Sequence, residues 1–409
     1  MAMHFFQALH YRTEKPKQLP FLDCTDAFLD ADAEYILNYT SNVIKITKDG
    51  NRYFFKESKV RPKSLYDVVY GGIESFFDEI VHNTSLKERT LDALKCKNNL
   101  RRIVNMGCKD RESDLFHRYL VTDDGSCLGL PSPVSEAEKG ELKKLVFYLY
   151  GELQNWFYNI NVKKGQLQTY SAVRALGTQE LSRMLGIDSL IPRCGFVKLK
   201  LMGRVRYGIL SEEAEGDTLT SSPFAERGGS VTPTLLRDLT NLNLLDALTG
   251  DNDHRIGNYH VVKNGAGEYS ALISYDNDSP DTFKLSSSVH RPNLIGCSPL
   301  VDRGGIINRA HLDGDTVYRL TEIKKTDLNA LLPYLGRMQI SFVMARIRKV
   351  RKAILKTARV RSQLLIPRTD WKKEHIKEDL SPKYGKTYLS SLLSDCYFET
   401  GFHEFDTLN

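Results

Sequence analysis

The sequence predicts an α+β protein of two lobes, with a helical subdomain inserted into the smaller lobe and a helical C-terminal region after the larger. Three observations predict it. Two alternating runs, Val43 to Lys48 and Asn51 to Lys56, flank Asp49-Gly50, a strong short-range hairpin signal. Leu235, Leu239, Leu242, Leu245 and Leu248 recur at helical spacing, and a polar loop and a second hairpin follow them. Between these regions, Ser135 to Asn159 has the periodicity of a long helix. At 409 residues and 41% hydrophobic content, the chain is long enough for a two-lobed domain with additions.

Taken in order, residues 1–60 supply the first part of the small lobe and its hairpin, and 61–165 the helical insert. In the insert, Ser135 and Glu138 make a capping-box pattern ahead of Leu142, Leu145, Val146, Tyr148, Leu149, Leu153 and Trp156. Asp123-Asp124-Gly125-Ser126 and Pro131-Ser132-Pro133 mark loops before it. Residues 166–216 complete the small lobe: a helix near Ala175 to Glu180, then Tyr207 to Gly216 as a strand running into a hinge. Residues 217–335 form the large lobe, where Thr232 is the cap of the leucine-rich helix, Pro233 its first residue and Gly250 its stop. Tyr259 to Val262 reads as a strand, Asn264-Gly265 as a turn and Tyr269 to Tyr275 as the return strand. Residues 336–409 are helical and basic at their start.

The loop between helix and hairpin reads Asp251-Asn252-Asp253-His254-Arg255-Ile256-Gly257-Asn258, and Asp276 stands at the end of the return strand. An acid, an amide five residues on and a second acid across a hairpin are the groups that phosphoryl transfer needs, one to take a proton and two to hold a metal on phosphates. Asp253 is the candidate proton acceptor, and Asn258 with Asp276 the candidate magnesium ligands. Lys56, at the end of the first hairpin, is the candidate phosphate contact for ATP, and the strand carrying Glu212 is placed beside the adenine. A Gly-x-x-x-x-Gly-Lys-Ser/Thr loop is absent, which excludes a P-loop reading. Asp276, Asp278 and Asp281 lack the sixth-position glycine of an EF-hand calcium loop.

At Gly250, Asp253, Gly257 and Asn258 the loop resembles that of the atypical kinases related to the HipA toxin kinases, the actin-fragmin kinase and the phosphatidylinositol 3/4-kinases. In those families it reads roughly Gly-Asn-x-Asp-Arg-His-x-Gly-Asn. Asp251 replaces the Asn, and His254-Arg255 reverses the Arg-His order. Val173 to Gly186, ahead of Ile191-Pro192, is similar to the helix of the same families that begins Val-Arg-Glu. There the Glu pairs with the phosphate-binding Lys; here Ala175 occupies its position, and Glu180 or Glu74 is the alternative acid. The resemblance implies a bilobed protein-kinase-like fold and an ATP- and magnesium-dependent phosphotransferase. A Ser/Thr protein kinase is the first expectation. A phosphoinositide kinase at anionic membranes, or a pseudokinase or AMP-transferring relative, is the alternative.

Seven cysteines without a Cys-x-x-Cys pair exclude a zinc ribbon and point to a reducing compartment. Met1 to Lys17 has no charged leader followed by an apolar run, and no stretch reaches membrane-spanning length, so a cytoplasmic protein is expected, with signal-independent export left open. The net charge of +6 rests on one segment. From Ser341 to Leu365 eight Lys or Arg residues occur with no acid, and Ile347, Val350, Ile354, Ala358 and Leu365 form an apolar stripe. Such a basic amphipathic helix suits an anionic lipid, a polyphosphate or calmodulin, or it packs on the large lobe with a solvated basic face. Because the basicity is local, general nucleic-acid binding is weakly supported.

Overall fold

A computed structural model describes residues 22–36, 43–57, 65–81, 84–109, 134–161, 171–213, 216–218, 231–252, 254, 256–275, 282–290 and 297–390. They form a mixed α+β structure. Its principal sheet has six strands: β1 (Leu22–Asp23), β2 (Asp32–Ile36), β3 (Val43–Lys48), β4 (Asn51–Glu57), β5 (Cys194–Leu201) and β6 (Arg204–Glu212). Their spatial order is β1-β5-β6-β4-β3-β2. β1 runs parallel to β5, while β2, β3 and β4 form an antiparallel meander. Two compact units divide the chain, the first comprising Phe21–Gln168 and Gly195–Ser211, the second Thr169–Cys194 and Glu212–Asn409.

In the first unit the Asp49-Gly50 turn has both residues at positive φ, 51° and 76°. This mirror-image turn matches the twist of the strands it joins. Tyr35, Ile44 and Phe55 are register partners across β2, β3 and β4, so they share one face of the sheet. Ile44, Ile46 and Phe55 are buried on that face with Val197 and Leu199 of β5. Helices α1 (Leu65–Glu79), α2 (Thr84–Lys95), α3 (Lys97–Lys109) and α4 (Glu136–Asn161) form a second cluster around Ile73, Phe76, Phe77, Leu145 and Leu149. Edge-to-face packing of Tyr35 on Tyr148 of α4, with centroids 5.6 Å apart, joins this helical layer to the sheet. The Ser135–Glu138 capping box forms as read: Glu138 accepts from the Ser135 amide at 2.8 Å, and Ser135 Oγ accepts from the Glu138 amide at 3.3 Å.

One buried charge cluster fastens sheet to helices. Arg206 of β6 meets Glu57 of β4 at 2.9 Å and also binds Glu79 of α1, which in turn accepts from the Tyr35 hydroxyl. Burial alone would lower the Arg206 pKa, but Glu57, Tyr35 and Glu79 together hold it above the ordinary value. Gly208 lets β6 approach β4: a Cβ there would meet the Lys56 carbonyl oxygen at 2.3 Å.

The second unit is organised on a buried helix. Its elements are α5 (Ser171–Leu185), β7 (Asp217–Thr218), α6 (Pro233–Thr249), β8 (Tyr259–Lys263), β9 (Tyr269–Ser274), β10 (Leu312–Asp313), α7 (Gly314–Glu322), α8 (Arg337–Ala358), β11 (Leu365–Ile366) and α9 (Lys373–Asp379). All five leucines of the predicted α6 stripe are buried. Helix α8 covers α6 with Ile347, Val350 and Ile354, the core of the stripe read from sequence, whereas Leu365 lies on β11 and is exposed. The stretch 166–216, grouped by the sequence with the small lobe, is divided: α5 buries Leu181 and Leu185 in the second unit's core, and β5 from Gly195 with most of β6 belongs to the first. Among the described residues no helix is long and apolar enough to cross a membrane.

Candidate functional site

The loop that carries the predicted chemistry begins where α6 is forced to stop. Thr232 caps the start, its Oγ1 accepting from the Leu235 amide at 3.2 Å, and Pro233 takes the first turn. Gly250 ends the helix at φ 83°, with its amide on the Asp246 carbonyl at 2.7 Å. The last carbonyls of a buried helix need donors. Arg346 of α8 supplies them, reaching the carbonyls of Leu248 and Thr249, the latter at 3.1 Å, together with those of Lys284 and Ser286. This arginine is one of the eight basic residues of the C-terminal segment, and it is buried.

Beyond Gly250 the chain passes through the loop and the β8–β9 hairpin, whose Tyr259, Val261, Tyr269 and Leu272 are buried in the same core, and returns to the same point. The Phe283 amide donates to the Thr249 carbonyl at 2.7 Å, and Thr282 Oγ1 donates to Asp251 Oδ2 at 3.0 Å. Residues 250 to 282 are thus an excursion closed at its neck. Phe283 holds an unusual φ of 58°, fixed by that amide and by Gln339 Nε2 donating to its carbonyl at 3.2 Å. Asp251, the first departure from the family pattern, is one side of the neck.

His254 is the second anchor. Its Nδ1 lies 2.7 Å from Asp246 Oδ1 on α6, and its Nε2 is 2.8 Å from Ser274 Oγ on β9. The ring stacks on Tyr259 at 5.8 Å, and the Tyr388 hydroxyl, from the C-terminal region, donates to Asp246 Oδ2. Acid, imidazole and hydroxyl thus occur in the order of a hydrolytic triad. All three are at most 3% exposed, so the Ser274 hydroxyl meets no substrate and the group acts as a brace. Burial, then the nearby Asp246, hold the Tyr259 phenol well above its usual pKa, so it stays neutral.

Asn258 closes a short 3-10 turn, Ile256–Asn258, and is buried. Its carbonyl accepts from the Tyr275 amide at 2.7 Å, which extends the β8–β9 pairing by one step past Tyr259 and Ser274. The hairpin turn is five residues long: Asn264 Oδ1 accepts from the amides of Ala266 and Glu268, both at 3.0 Å. Asp253 and Asp276 lie outside the described residues, each next in sequence to a residue that is anchored, His254 and Tyr275. Among the described residues no three His, Cys, Asp or Glu side chains cluster as metal ligands.

The other candidates fall in different places. Lys56 is on β4, adjacent to Phe55 and hence on the opposite sheet face from Tyr35, Ile44 and the helical layer. Glu212 is the exposed last residue of β6, its amide bound to the Arg193 carbonyl at 3.1 Å. Glu180 pairs with Arg183 of its own helix at 2.6 Å, and Glu74 pairs with Lys95 at 3.0 Å. Ala175 is half-buried on α5. A small cavity beside the loop is lined by Asn243, Asp246, Gly250, Asp251, Ser288 and Tyr388, among others. A larger one of about 590 Å³, lined by residues that include Met184, Tyr318, Arg319 and Arg368, contains none of the predicted site residues.

Sequence reasoning did not find Asp246, Ser274, Tyr388 or the role of Arg346. The available signal was the run of Asn241, Asn243 and Asp246 inside an otherwise leucine-rich helix, since polar residues on a buried helix need partners. No protein-family model matches the chain, and a search of curated proteins returns no match.

Proposed function

We propose that this chain is an ATP- and magnesium-dependent phosphotransferase of the kinase-like bilobed class, acting on a Ser or Thr hydroxyl of a protein. The observation that carries the reading is the closed loop between Thr249 and Phe283, where one buried helix end and one hairpin anchor His254, next to Asp253, and Tyr275, next to Asp276. Phosphoryl transfer asks a protein chiefly for positioning and charge neutralisation. An anchored neighbour beside each acid serves that positioning.

In this reading Asp253 orients and accepts the proton of the attacking hydroxyl. Asn258 and Asp276 would hold magnesium: an amide and a carboxylate oxygen suit a hard cation that takes its remaining ligands from phosphate and water. The ion, when bound, supplies neutralisation of phosphate charge. Lys56 carries its ammonium on the sheet face opposite the helical layer. Glu212 lies on the strand assigned to the adenine, and Glu180 is the acid nearest in sequence to the family position, although Arg183 already neutralises it.

That ion pair, with Ala175 at the family's acidic position, favours a second reading, a nucleotide-binding pseudokinase. One assay separates the two: the full chain with magnesium and ATP labelled at the γ or the α position, beside Asp253→Ala and Asp276→Ala. The expected result is γ-label on protein that falls by about three orders of magnitude in each variant. Label on phosphoinositide would make it a lipid kinase, and α-label an AMP transferase. Thermal stabilisation by ATP without transfer would favour the pseudokinase over a constitutively active enzyme. Undiminished transfer by either variant would overturn the site.

A further inference from the structure

We propose that the solvent face of α8 is a docking surface for anionic lipid bilayers. The helix contains no acidic residue over its 22 positions. At 100° per residue, Arg348, Lys352, Leu355 and Arg359 fall within one narrow stripe, i, i+4, i+7 and i+11, about 17 Å long. The opposite side of the helix is already occupied: Ile347, Val350 and Ile354 are buried in the second unit's core.

The structure separates the basic residues that serve the fold from those that do not. Arg346 is consumed by carbonyls of α6 and the 284–286 segment, Arg351 by the carbonyls of Leu320 and Ile323, and Arg361 by those of Arg309 and Ile307. Lys349 and Lys356 flank the stripe, tethered to Ser287 and Gly304 through their amines yet exposed. Arg348, Lys352 and Arg359 are exposed on the stripe itself. On one side the neighbouring charges are Lys284, Asp302 and Arg303, and on the other Glu322, Lys324, Lys325 and Asp327, so four cations face three acids in the flanking segments and the excess lies on the helix itself.

Two apolar side chains decide among anionic partners. Leu355 is 62% exposed in the middle of the stripe and Val360, just past the helix end, is 75% exposed. A polyphosphate or nucleic-acid backbone has no use for them, whereas a bilayer interface buries apolar tips below the headgroups that the cations contact. Calmodulin is a poorer fit, because it grips the apolar face of a target helix and that face is inside the core. The occupant is therefore a membrane leaflet rich in anionic headgroups.

The test is co-sedimentation of the full chain with phosphatidylcholine vesicles, with and without phosphatidylserine, over a salt series. Variants are Lys352→Glu/Arg359→Glu, Leu355→Ala/Val360→Ala, and the control Lys143→Glu/Lys144→Glu on α4, with folding checked by thermal melting. Binding only to phosphatidylserine vesicles, weakening with salt, is expected. Each basic residue removed should weaken it about five-fold, and the double charge reversal by on the order of 100-fold or more. The apolar double variant should weaken binding measurably, and the control should leave it unchanged. Absence of binding at low salt, or binding that the charge reversal leaves intact, overturns the proposal. Equal binding by the apolar variant, accompanied by equally tight binding to heparin, reassigns the face to soluble polyanions and overturns the lipid assignment.

Discussion

Two arginines buried to nearly the same degree, Arg206 in the first unit and Arg346 in the second, solve the problem of a charge in the core in opposite ways. Arg206 is matched by the carboxylates of Glu57 and Glu79 and lies near the Tyr35 ring, its Cζ 5.9 Å from the centroid. Arg346 donates to backbone carbonyls, those of Leu248, Thr249, Lys284 and Ser286. The first arrangement ties a sheet to a helical layer and depends on every ion being present. The second collects the ends of two chain segments, and its partners are dipoles that stay in place whatever the pH. Where the chain must hold layers together it uses opposed charges; where it must hold a loop neck it uses carbonyls left over by a helix end.

The comparison is open to attack by substitution. Arg206→Met should cost about 3–5 kcal/mol, because two carboxylates are left in a site built for their neutralisation. Arg346→Met should cost less, about 2–3 kcal/mol, since carbonyls without donors lose less than ions without partners. Urea denaturation of the full chain ranks the two, and a larger loss at Arg346 would reverse the contrast. Replacing Glu79 by Gln in the Arg206→Met background should recover part of the loss, and no such recovery is expected at Arg346.

The next effect is a pH dependence in the second unit. Asp238 on α6 is buried, and desolvation, opposed by Arg237, pushes its carboxyl up to about 6. A folded-state pKa above the unfolded value of 3.8 means that the native state binds the extra proton between about pH 4 and 6. Its contribution to stability is therefore largest on the acid side and is lost as pH rises to about 6, a change of about 2–3 kcal/mol. Asp238→Asn should flatten stability against pH in that window, measured by denaturant midpoints at successive pH values; an unchanged slope would show that the carboxyl is not held neutral. Nearby Asp313 behaves oppositely. Burial would raise it, but the hydrogen bond from Asn241, then Arg368 and Thr316, hold it below the ordinary value.

The smallest expected effect is at Tyr388. Tyr388→Phe removes the hydroxyl donor to Asp246 and should cost about 1 kcal/mol. Amide exchange should quicken at His254 and Ser274 and leave the first unit's strands unaffected, and uniform quickening across both units would deny the C-terminal region a local role in bracing the loop.

What could be read in the sequence was short-range. The Asp49-Gly50 turn, the Thr232-Pro233 start and Gly250 stop of α6, the Ser135–Glu138 box and the strands around Tyr259 and Tyr269 all rest on residues a few positions apart, and the local backbone rules for them are strong. The loop at Asn264 shows the limit. Asn264-Gly265 marked the turn, but not its geometry, in which Asn264 folds its own side chain onto two later amides to close a five-residue loop. Long-range partners left no local trace. Asp246 and Tyr388 are 142 positions apart, and Arg346 meets carbonyls nearly a hundred residues upstream. The basic helix shows the same mixture: its buried stripe followed from periodicity, while the division of its cations between internal carbonyls and solvent depended on segments that sequence spacing does not bring to mind.

The closed neck at Thr249 and Phe283 has a consequence for how such a molecule changes over time. The candidate proton acceptor and metal ligands, Asp253, Asn258 and Asp276, belong to one stretch of chain whose two ends meet. The leucines of α6 and the underside of α8 remain outside it. Substitutions at the polar positions around Asp253 and Asp276 can therefore alter or extinguish the chemistry while the scaffold keeps its packing, whereas Tyr259, Val261, Tyr269 and Leu272 of the hairpin share the core of the α6 leucines and couple the stretch to the scaffold beside the neck and the His254 brace. An active and an inactive relative built on this plan would share nearly everything except the contents of one loop.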